Sequence, residues 1–241
     1  SHSNRLSFTR GITMIAAEGP EKTFIVGADA PISPSGDGRG TNAVRCLYIT
    51  SGFLQGFTLT GGRSNYTVSD SDGDPLRGGA TYGGGALWDC VISNNVASRG
   101  GASWNTSLYR CHILKNTAAN NGVTRACSIT DCIVEQNYSP NTVVGTGTLA
   151  YNSTIVSNTS TFATMSSTPD STAVNCIIYA NSPYDSDGGV RATNTLIGTS
   201  RGGVSGSNVL RVDPLLCNVP ERDFRVLNTS QVNAISLPGG F

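Results

Sequence analysis

The sequence predicts an all-β fold, a right-handed parallel β-helix with rungs of about 21 residues, on three observations. A five-residue unit recurs, for example as Trp-Asp-Cys-Val-Ile at 88–92, Tyr-Arg-Cys-His-Ile at 109–113 and Thr-Asp-Cys-Ile-Val at 130–134. The third residues of seven such units are 33, 21, 21, 21, 23 and 19 positions apart. The repeats are rich in Gly, Asn, Ser and Thr, which favours short strands joined by turns, and we expect three strands in each rung.

The repeated unit predicts a narrow core of stacked side chains. Because side chains alternate along a strand, the third and fifth residues of each unit point to the same side. The third residues are Phe57, Cys90, Cys111, Cys132, Ser153, Cys176 and Thr195. The fifth residues are Leu59, Ile92, Ile113, Val134, Ile155, Ile178 and Ile197. These small and branched side chains suit a confined interior, so we expect both columns to face inward.

An asparagine follows the third residue of most units by five positions. The set is Asn95, Asn116, Asn137, Asn158 and Asn181. Asparagine tolerates the left-handed backbone conformation, and stacked amides can hydrogen-bond to one another, so we expect each Asn to close a strand in that conformation. The role predicted for this column is structural.

The seven cysteines are predicted to be mostly free, buried thiols. Side chains stacked in register point along one another and do not meet with the dihedral angle that a disulfide requires. The cysteines lie at 46, 90, 111, 127, 132, 176 and 217, and no Cys-x-x-Cys spacing suggests a zinc site.

The repeat also predicts how the chain is organised. Residues 1–53 form irregular first rungs, residues 54–208 form the regular rungs, and residues 209–241 form a C-terminal capping segment. Because each rung packs against its neighbours, all three parts are expected to belong to one elongated domain. The cap is expected because an uncovered last rung would expose unpaired strand edges.

Composition narrows the classes of function. The 241 residues contain 16 Lys and Arg against 16 Asp and Glu, so no basic surface favours a nucleic-acid partner. The sequence has no apolar run of membrane length, which predicts no transmembrane segment. Low charge together with abundant Gly, Asn, Ser and Thr resembles secreted bacterial repeat proteins, and this resemblance implies an extracellular or cell-surface location.

Several motifs together resemble a family. They are Gly-Gly-Ala at 78–80 and 100–102, the Cys-x-Ile-x-x-Asn units, Glu-Gly-Pro-Glu-x-Thr-Phe-Ile-Val-Gly at 18–27, and the closing Val-Asp-Pro-Leu-Leu and Asp-Phe-Arg-Val. In these features the chain resembles bacterial right-handed β-helix repeat proteins of the polymorphic outer-membrane and cell-surface type. The resemblance implies a secreted scaffold associated with adhesion or polysaccharide contact. The paired Asp motifs, His-Gly and Arg-Ile-Lys of pectin hydrolases are absent.

Long loops predict a groove and a calcium site. The segments 63–77, 159–170 and 182–189 are longer than those in the rungs between them, so they would form two walls with a low floor. The first loop contains Asp70, Asp72 and Asp74 around a glycine, an arrangement that can gather oxygen ligands for Ca²⁺. Asp185 and Asp187 repeat the pattern in the far wall. A solvated acidic turn is the alternative interpretation, and no cofactor is required by the predicted fold.

An outward row of aromatic residues is the candidate carbohydrate site. Trp88 and Tyr109 occupy the first position of successive units, and exposed rings at one-rung intervals could stack on sugars. Stacking of these rings on one another is the alternative interpretation. The candidate contacts are Trp88, Arg99, Trp104, Tyr109, Arg110 and Arg125.

Three functions therefore remain open. The leading one is a non-catalytic extracellular scaffold that binds a polysaccharide, a cell-surface glycan or another partner. The second is a calcium-dependent polysaccharide lyase or other glycan depolymerase, whose base would be Lys115 or an arginine near the groove. We expect His112, at an outward strand position, to be an ordinary surface histidine. The third function is a structural or assembly subunit.

Overall fold

The fold is made of β-strands, as the sequence predicts. The computed structural model describes residues 3–65, 76–165, 171–218, 221 and 223–227. All regular elements in these ranges are strands, numbered β1 to β29 along the chain. Most of them belong to long parallel sheets, an arrangement consistent with a parallel β-solenoid.

Most of the strands lie on four faces, and a complete rung contributes one strand to each face. Face 1 contains β1 Ser3–Phe8, β4 Val44–Ile49, β7 Thr81–Tyr82, β11 Ser103–Trp104 and β15 Thr124–Arg125. Face 2 contains β2 Ile12–Ile15, β5 Gly52–Gln55, β8 Ala86–Trp88, β12 Ser107–Tyr109, β16 Ser128–Thr130, β19 Leu149–Tyr151 and β22 Thr172–Val174. Face 3 contains β3 Phe24–Val26, β6 Thr58–Thr60, β9 Val91–Ser93, β13 His112–Leu114, β17 Ile133–Glu135, β20 Thr154–Val156 and β23 Ile177–Tyr179. Face 4 contains β10 Val96–Arg99, β14 Thr117–Asn121, β18 Tyr138–Ser139 and β21 Thr159–Ser160.

The remaining strands lie toward the C-terminal end. β25 Arg191–Ile197 pairs with both β22 and β23 and so joins faces 2 and 3, and β27 Ser205–Leu210 pairs with β25. β24 Ser186–Asp187 pairs with β26 Ser200–Arg201. β28 Leu216–Asn218 and β29 Asp223–Val226 form an antiparallel pair.

The parallel register follows the spacing of the repeats. Ser107 pairs with Ala86 in the preceding rung and with Ser128 in the following one, and each pair is separated by 21 positions in the sequence. The rung differs from expectation in having four strand segments instead of three. Some strands of face 1, such as Ser103–Trp104, contain only two residues. A strand of that length is too short to show the alternation of inward and outward side chains by which strands are identified in a sequence.

The two predicted inward columns lie in the core. Cys90, Cys111, Cys132 and Cys176 are at most 2% exposed, and Ile113 is fully buried. The six cysteines of the core are free thiols, and Cys217 is free and exposed. Burial raises the pKa of Cys46 and of Cys176 to about 12, so these thiols stay protonated at neutral pH.

The asparagine column is buried and hydrogen-bonded along the stack. The amide oxygen of Asn137 accepts bonds from the backbone N–H and the Nδ2 of Asn116, at 2.9 and 3.1 Å. Its own Nδ2 donates to the backbone oxygen of Ile113 and to the amide oxygen of Asn158. The same pattern repeats from Asn95 to Asn181, so each amide joins its own rung to both neighbours.

The prediction that these asparagines adopt the left-handed conformation was wrong by one position. The residues with positive φ at this corner directly precede them: Asn94, Lys115, Gln136, Ser157 and Ala180. The corner turns at the preceding residue, and the following Asn is thereby directed inward. A second corner, between faces 2 and 3, turns at Asp89, Arg110, Asp131, Asn152, Asn175, Asn194 and Asn208.

Part of the segment after residue 208 packs against the outer side of face 3. Ile177 and Leu196 are neighbours in register, and both are buried on the side opposite the core. They lie in a small apolar cluster with Leu210, Leu216 and Val226. The proposed limits of the capping segment remain a prediction.

We predict that Asn137→Ala lowers the free energy of unfolding by at least about 2 kcal/mol. The substitution leaves the buried backbone N–H of Asn116 without its acceptor and removes the bond that the Nδ2 of Asn137 donates to the backbone oxygen of Ile113, and each such loss costs about 1–3 kcal/mol. Asn120→Ala, at an exposed position of β14, is the control, and we expect a change within about 0.5 kcal/mol. Equal effects of the two substitutions in chemical denaturation would contradict the structural role of the column.

Candidate functional site

The predicted calcium ligands cannot be placed. Asp70, Asp72 and Asp74 lie outside the described residues, and so does most of the loop 63–77. Within the described ranges, no group of three or more His, Cys, Asp or Glu side chains is arranged to hold a metal ion. Calcium binding by the first loop therefore remains a prediction.

The far wall of the expected groove is built differently from the sequence interpretation. Asp185 is buried and ends the asparagine column, since its Oδ1 accepts bonds from the backbone N–H and Nδ2 of Asn181. Its Oδ2 accepts from the N–H and hydroxyl of Thr199. Asp187 is buried and lies in β24. Ser186, the first residue of β24, forms a parallel β-bridge with Met165. The segment 182–189 thus contributes a strand in line with face 1, and Asp185 has a structural role.

Burial shifts the ionisation of Asp185. Desolvation raises the pKa of this carboxyl group, and the bonds from Asn181 and Thr199 oppose that rise because they favour the charged form. The four donors aimed at its two oxygens explain why an acid takes the place of a further asparagine here. An asparagine would direct its own N–H groups toward the N–H of Thr199.

Trp88 and Tyr109 stack on each other on face 2. They are register partners in β8 and β12, their ring centroids are 4.0 Å apart and their planes differ by 14°. The guanidinium carbon of Arg110 lies 5.0 Å from the centroid of the Trp88 ring. Arg110 also forms a two-pronged ion pair with Asp89, at 2.7 and 2.8 Å. One ring face of each aromatic residue is therefore in contact with the other ring.

The ion pair perturbs Asp89. Hydrogen bonds from Arg110 hold the pKa of this carboxyl group below its usual value. Partial burial acts to raise the pKa, and a hydrogen bond from the Gln55 side chain acts to lower it. Asp89 and Arg110 occupy left-handed corner positions in adjacent rungs, 21 residues apart. The corner geometry thus brings opposite charges together along the stack.

Two arginines lie over the ring of Trp104 on face 1. The guanidinium carbon of Arg77 lies 4.5 Å from the Trp104 ring centroid, and that of Arg125 lies 4.7 Å from it. Arg125 is the register partner of Trp104 in the next rung, and Tyr82 is its partner in the preceding one. Arg99, at the end of β10, forms an isolated parallel β-bridge with Arg77 through the backbone. We call Arg77, Arg99, Trp104 and Arg125 the arginine–tryptophan patch.

The six predicted contacts therefore form two groups on neighbouring faces. Trp88, Tyr109 and Arg110 lie together on face 2 and its corner, while Arg99, Trp104 and Arg125 belong to the patch at face 1. Sequence reasoning missed Arg77 as a site residue because it lies at the end of an insertion with no partner in the repeat. It also missed the row formed by Tyr48, Tyr82 and Trp104, whose steps of 34 and 22 differ from the main period.

His112 differs from an ordinary surface histidine. Its Nε2 lies 2.5 Å from Oε1 of Glu135, whose side chain is only 1% exposed. The two residues lie on the outer side of face 3, in the successive strands β13 and β17. Nothing in the sequence indicated this pair, because the strand position of Glu135 has a different residue type in each rung.

Comparison of the chain with protein-family models, with curated proteins and with solved structures found no match. The described part of the chain contains no helix that is long and apolar enough to cross a membrane.

We predict that Arg110→Gln raises the pKa of Asp89 toward the ordinary carboxyl value. The substitution removes the hydrogen bonds and the positive charge that favour the ionised form. Because the folded-state pKa of Asp89 is lowered, its contribution to stability is present above the unfolded pKa and is lost as the pH falls through the folded pKa. Carbon-detected NMR titration of the side chain measures the shift. An unchanged Asp89 titration in the variant would contradict the assigned cause.

Proposed function

We propose that this chain is a right-handed parallel β-helix with rungs of about 21 residues that binds acidic carbohydrate without cleaving it. Right-handed winding is supported by the strong preference of connections between parallel strands for a right-handed crossover. The composition favours an extracellular or cell-surface location, which belongs to the same proposal. The family resemblance to cell-surface β-helix repeat proteins supports a scaffold role.

The observation that carries the proposal is the arrangement around Trp104. A guanidinium group that stacks on an indole contacts the ring through its flat face, and this contact fixes its orientation. It binds a carboxylate or a sulfate through the N–H groups along its edge, so stacking does not block that contact. Arg77 and Arg125 are both held in this way over the Trp104 ring, at 4.5 and 4.7 Å from its centroid. Arg77 has no ion-pair partner among the residues that the structure describes.

The spacing of the two groups suits a polymer with repeated charge. The guanidinium carbons of Arg77 and Arg125 lie 4.5 and 4.7 Å from one ring centroid, so they are at most about 9 Å apart and could each hold one ligand group. Anionic groups on alternate sugars of an extended chain are separated by a similar length. Neutral sugars would gain less, because they cannot form charge-assisted bonds with the guanidinium groups.

The Trp88 and Tyr109 pair is a weaker candidate for sugar stacking. Ring stacking on a sugar needs a free aromatic face, and these rings already contact each other, while Arg110 lies against Trp88. The contact with carbohydrate that the sequence predicts for these residues remains a prediction. We place the main site at the arginine–tryptophan patch.

We predict that Arg77→Gln and Trp104→Ala each weaken binding of polygalacturonate by about tenfold, measured by calorimetry at low salt. Arg191→Gln is the matched control, because Arg191 is exposed on β25 outside the patch. Binding should weaken as salt is added. Parent-like affinity in both patch variants, or no binding of acidic glycans by the parent, would refute the proposal.

The alternative of a calcium-dependent lyase depends on Asp70, Asp72 and Asp74. The same polygalacturonate sample with millimolar Ca²⁺ tests it, since eliminative cleavage creates an unsaturated product that absorbs in the ultraviolet. Ca²⁺ bound to the folded state should also raise the melting temperature. Absence of both effects would remove the metal site and the lyase.

A further inference from the structure

Arg45 is a buried arginine next to the arginine–tryptophan patch. It lies in β4 on face 1, and only 3% of the residue is exposed. Burying a guanidinium group is costly unless hydrogen bonds within the protein replace those that it makes with water. The partners of Arg45 therefore indicate what this side chain does in the fold.

Two of these partners are backbone carbonyl groups at the end of the insertion 63–77. The Nη2 of Arg45 donates to the oxygen of Arg77 at 2.6 Å, and its Nε donates to the oxygen of Gly78 at 2.7 Å. Its Nη1 donates to Oδ1 of Asn4 in β1 at 3.0 Å. Bonds from a charged donor are stronger than neutral ones, and a rigid planar guanidinium fixes the direction of each bond. Arg45 thus anchors the backbone of Arg77 to the preceding rung.

The following rung holds the same backbone from the other side. The N–H of Gly78 donates to the oxygen of Arg99 at 2.9 Å, and Arg77 forms its isolated β-bridge with Arg99. Arg77 belongs to none of the strands, whereas Arg125 lies in β15 and is placed over Trp104 by strand pairing with β11. Arg77 therefore depends more on side-chain anchoring than Arg125 does.

The backbone position of Arg77 determines where its guanidinium group lies. The guanidinium carbon is 4.5 Å from the Trp104 ring centroid, and no repeat spacing brings these two residues together. A binding group that is already held in place loses less conformational freedom when a ligand arrives, so its contribution to affinity is larger. An anchor for Arg77 would therefore increase the affinity of the patch without contacting the ligand.

We propose that Arg45 is the positioning residue of the arginine–tryptophan patch: it fixes the backbone of Arg77 and so keeps the Arg77 guanidinium group over Trp104 before a ligand binds. The role in affinity rests on the proposed function, the binding of acidic carbohydrate at this patch. The anchoring of Arg77 can be measured without any ligand.

The fluorescence of Trp104 tests the anchoring. The chain has two tryptophans, so Trp88→Phe leaves Trp104 as the only one, and quenching by acrylamide then reports the exposure of its ring. Arg77→Ala should raise the quenching constant, because the ring loses the cover of one guanidinium group. Arg45→Gln should raise it toward the value of Arg77→Ala, although Arg77 is still present.

Arg63→Gln is the matched control. The side chain of Arg63 is 17% exposed, and its Nη1 also donates to backbone oxygens, those of Gly62 and Asn94, at the other end of the same insertion. This variant should keep the parent quenching constant. Equal increases in Arg45→Gln and Arg63→Gln would overturn the proposal, because they would indicate a general loosening of the insertion.

Arg45→Lys keeps the test informative if Arg45→Gln does not fold. Lysine keeps the buried charge but lacks the planar fork that donates to both carbonyl groups, so an intermediate quenching constant is expected. Circular dichroism and the melting temperature show which variants are folded. A parent-like quenching constant in every folded Arg45 variant would overturn the proposal.

Calorimetry with polygalacturonate, in the chain that retains Trp88, tests the role in affinity. Arg45→Gln should weaken binding by up to about tenfold, the loss expected for Arg77→Gln. It should cause no further loss in a chain that already carries Arg77→Gln, because the two residues then act as one unit. Independent, additive losses would contradict positioning. Increased quenching in Arg45→Gln with no glycan binding by the parent would refute the proposed function and leave the anchoring of Arg77 supported.

Discussion

The buried asparagine column is the constraint on which the register of the rungs depends. Each amide accepts two hydrogen bonds from the next asparagine toward one end and donates one to the asparagine toward the other. A displaced rung would break all of these bonds inside an interior that offers no water as a substitute. The column therefore fixes the position of one residue in each rung, while the number and type of residues elsewhere in the rung can vary. Asn158 and Asn181 keep the bonds although they are 23 positions apart, because the additional residues lie outside the column.

Left-handed corners make this arrangement possible. At the corner before the column, a single residue with positive φ turns the chain so that the following asparagine points inward. Asn94 suits that conformation, whereas Lys115 and Gln136 adopt it at some cost in energy. The bonds made by the buried amides offset that cost. The same device at the second corner sets Asp89 and Arg110 side by side on the surface, so one backbone feature organises both the interior and an ion pair outside it.

Periodicity also explains the candidate binding surface. Any outward position is repeated at the spacing of neighbouring strands, which is close enough for aromatic rings to stack and for guanidinium groups to lie over them. Trp88 and Tyr109 use this proximity to contact each other. Trp104 uses it to contact Arg125 in the next rung, and Arg77 completes the arrangement from an inserted segment. The proposed selectivity for acidic ligands is based on that difference, since the second arrangement brings two guanidinium groups to one ring.

The sequence by itself determined the all-β class, the parallel stacking and the two inward columns, because a strict period leaves a residue such as Cys111 or Ile113 only one side on which to lie. It also predicted free thiols and an amide column. The tertiary structure alone decided that the rung has a fourth strand segment, that the residue before each asparagine carries the left-handed turn, and that Asp185 ends the column. It also brought Arg77 to Trp104 and Glu135 to His112. The contacts of Arg77, Glu135 and Asp185 join residues whose spacing departs from the period, and only the folded chain brings such residues together. The turn residues recur at the period, but they share no residue type that would mark them in the sequence.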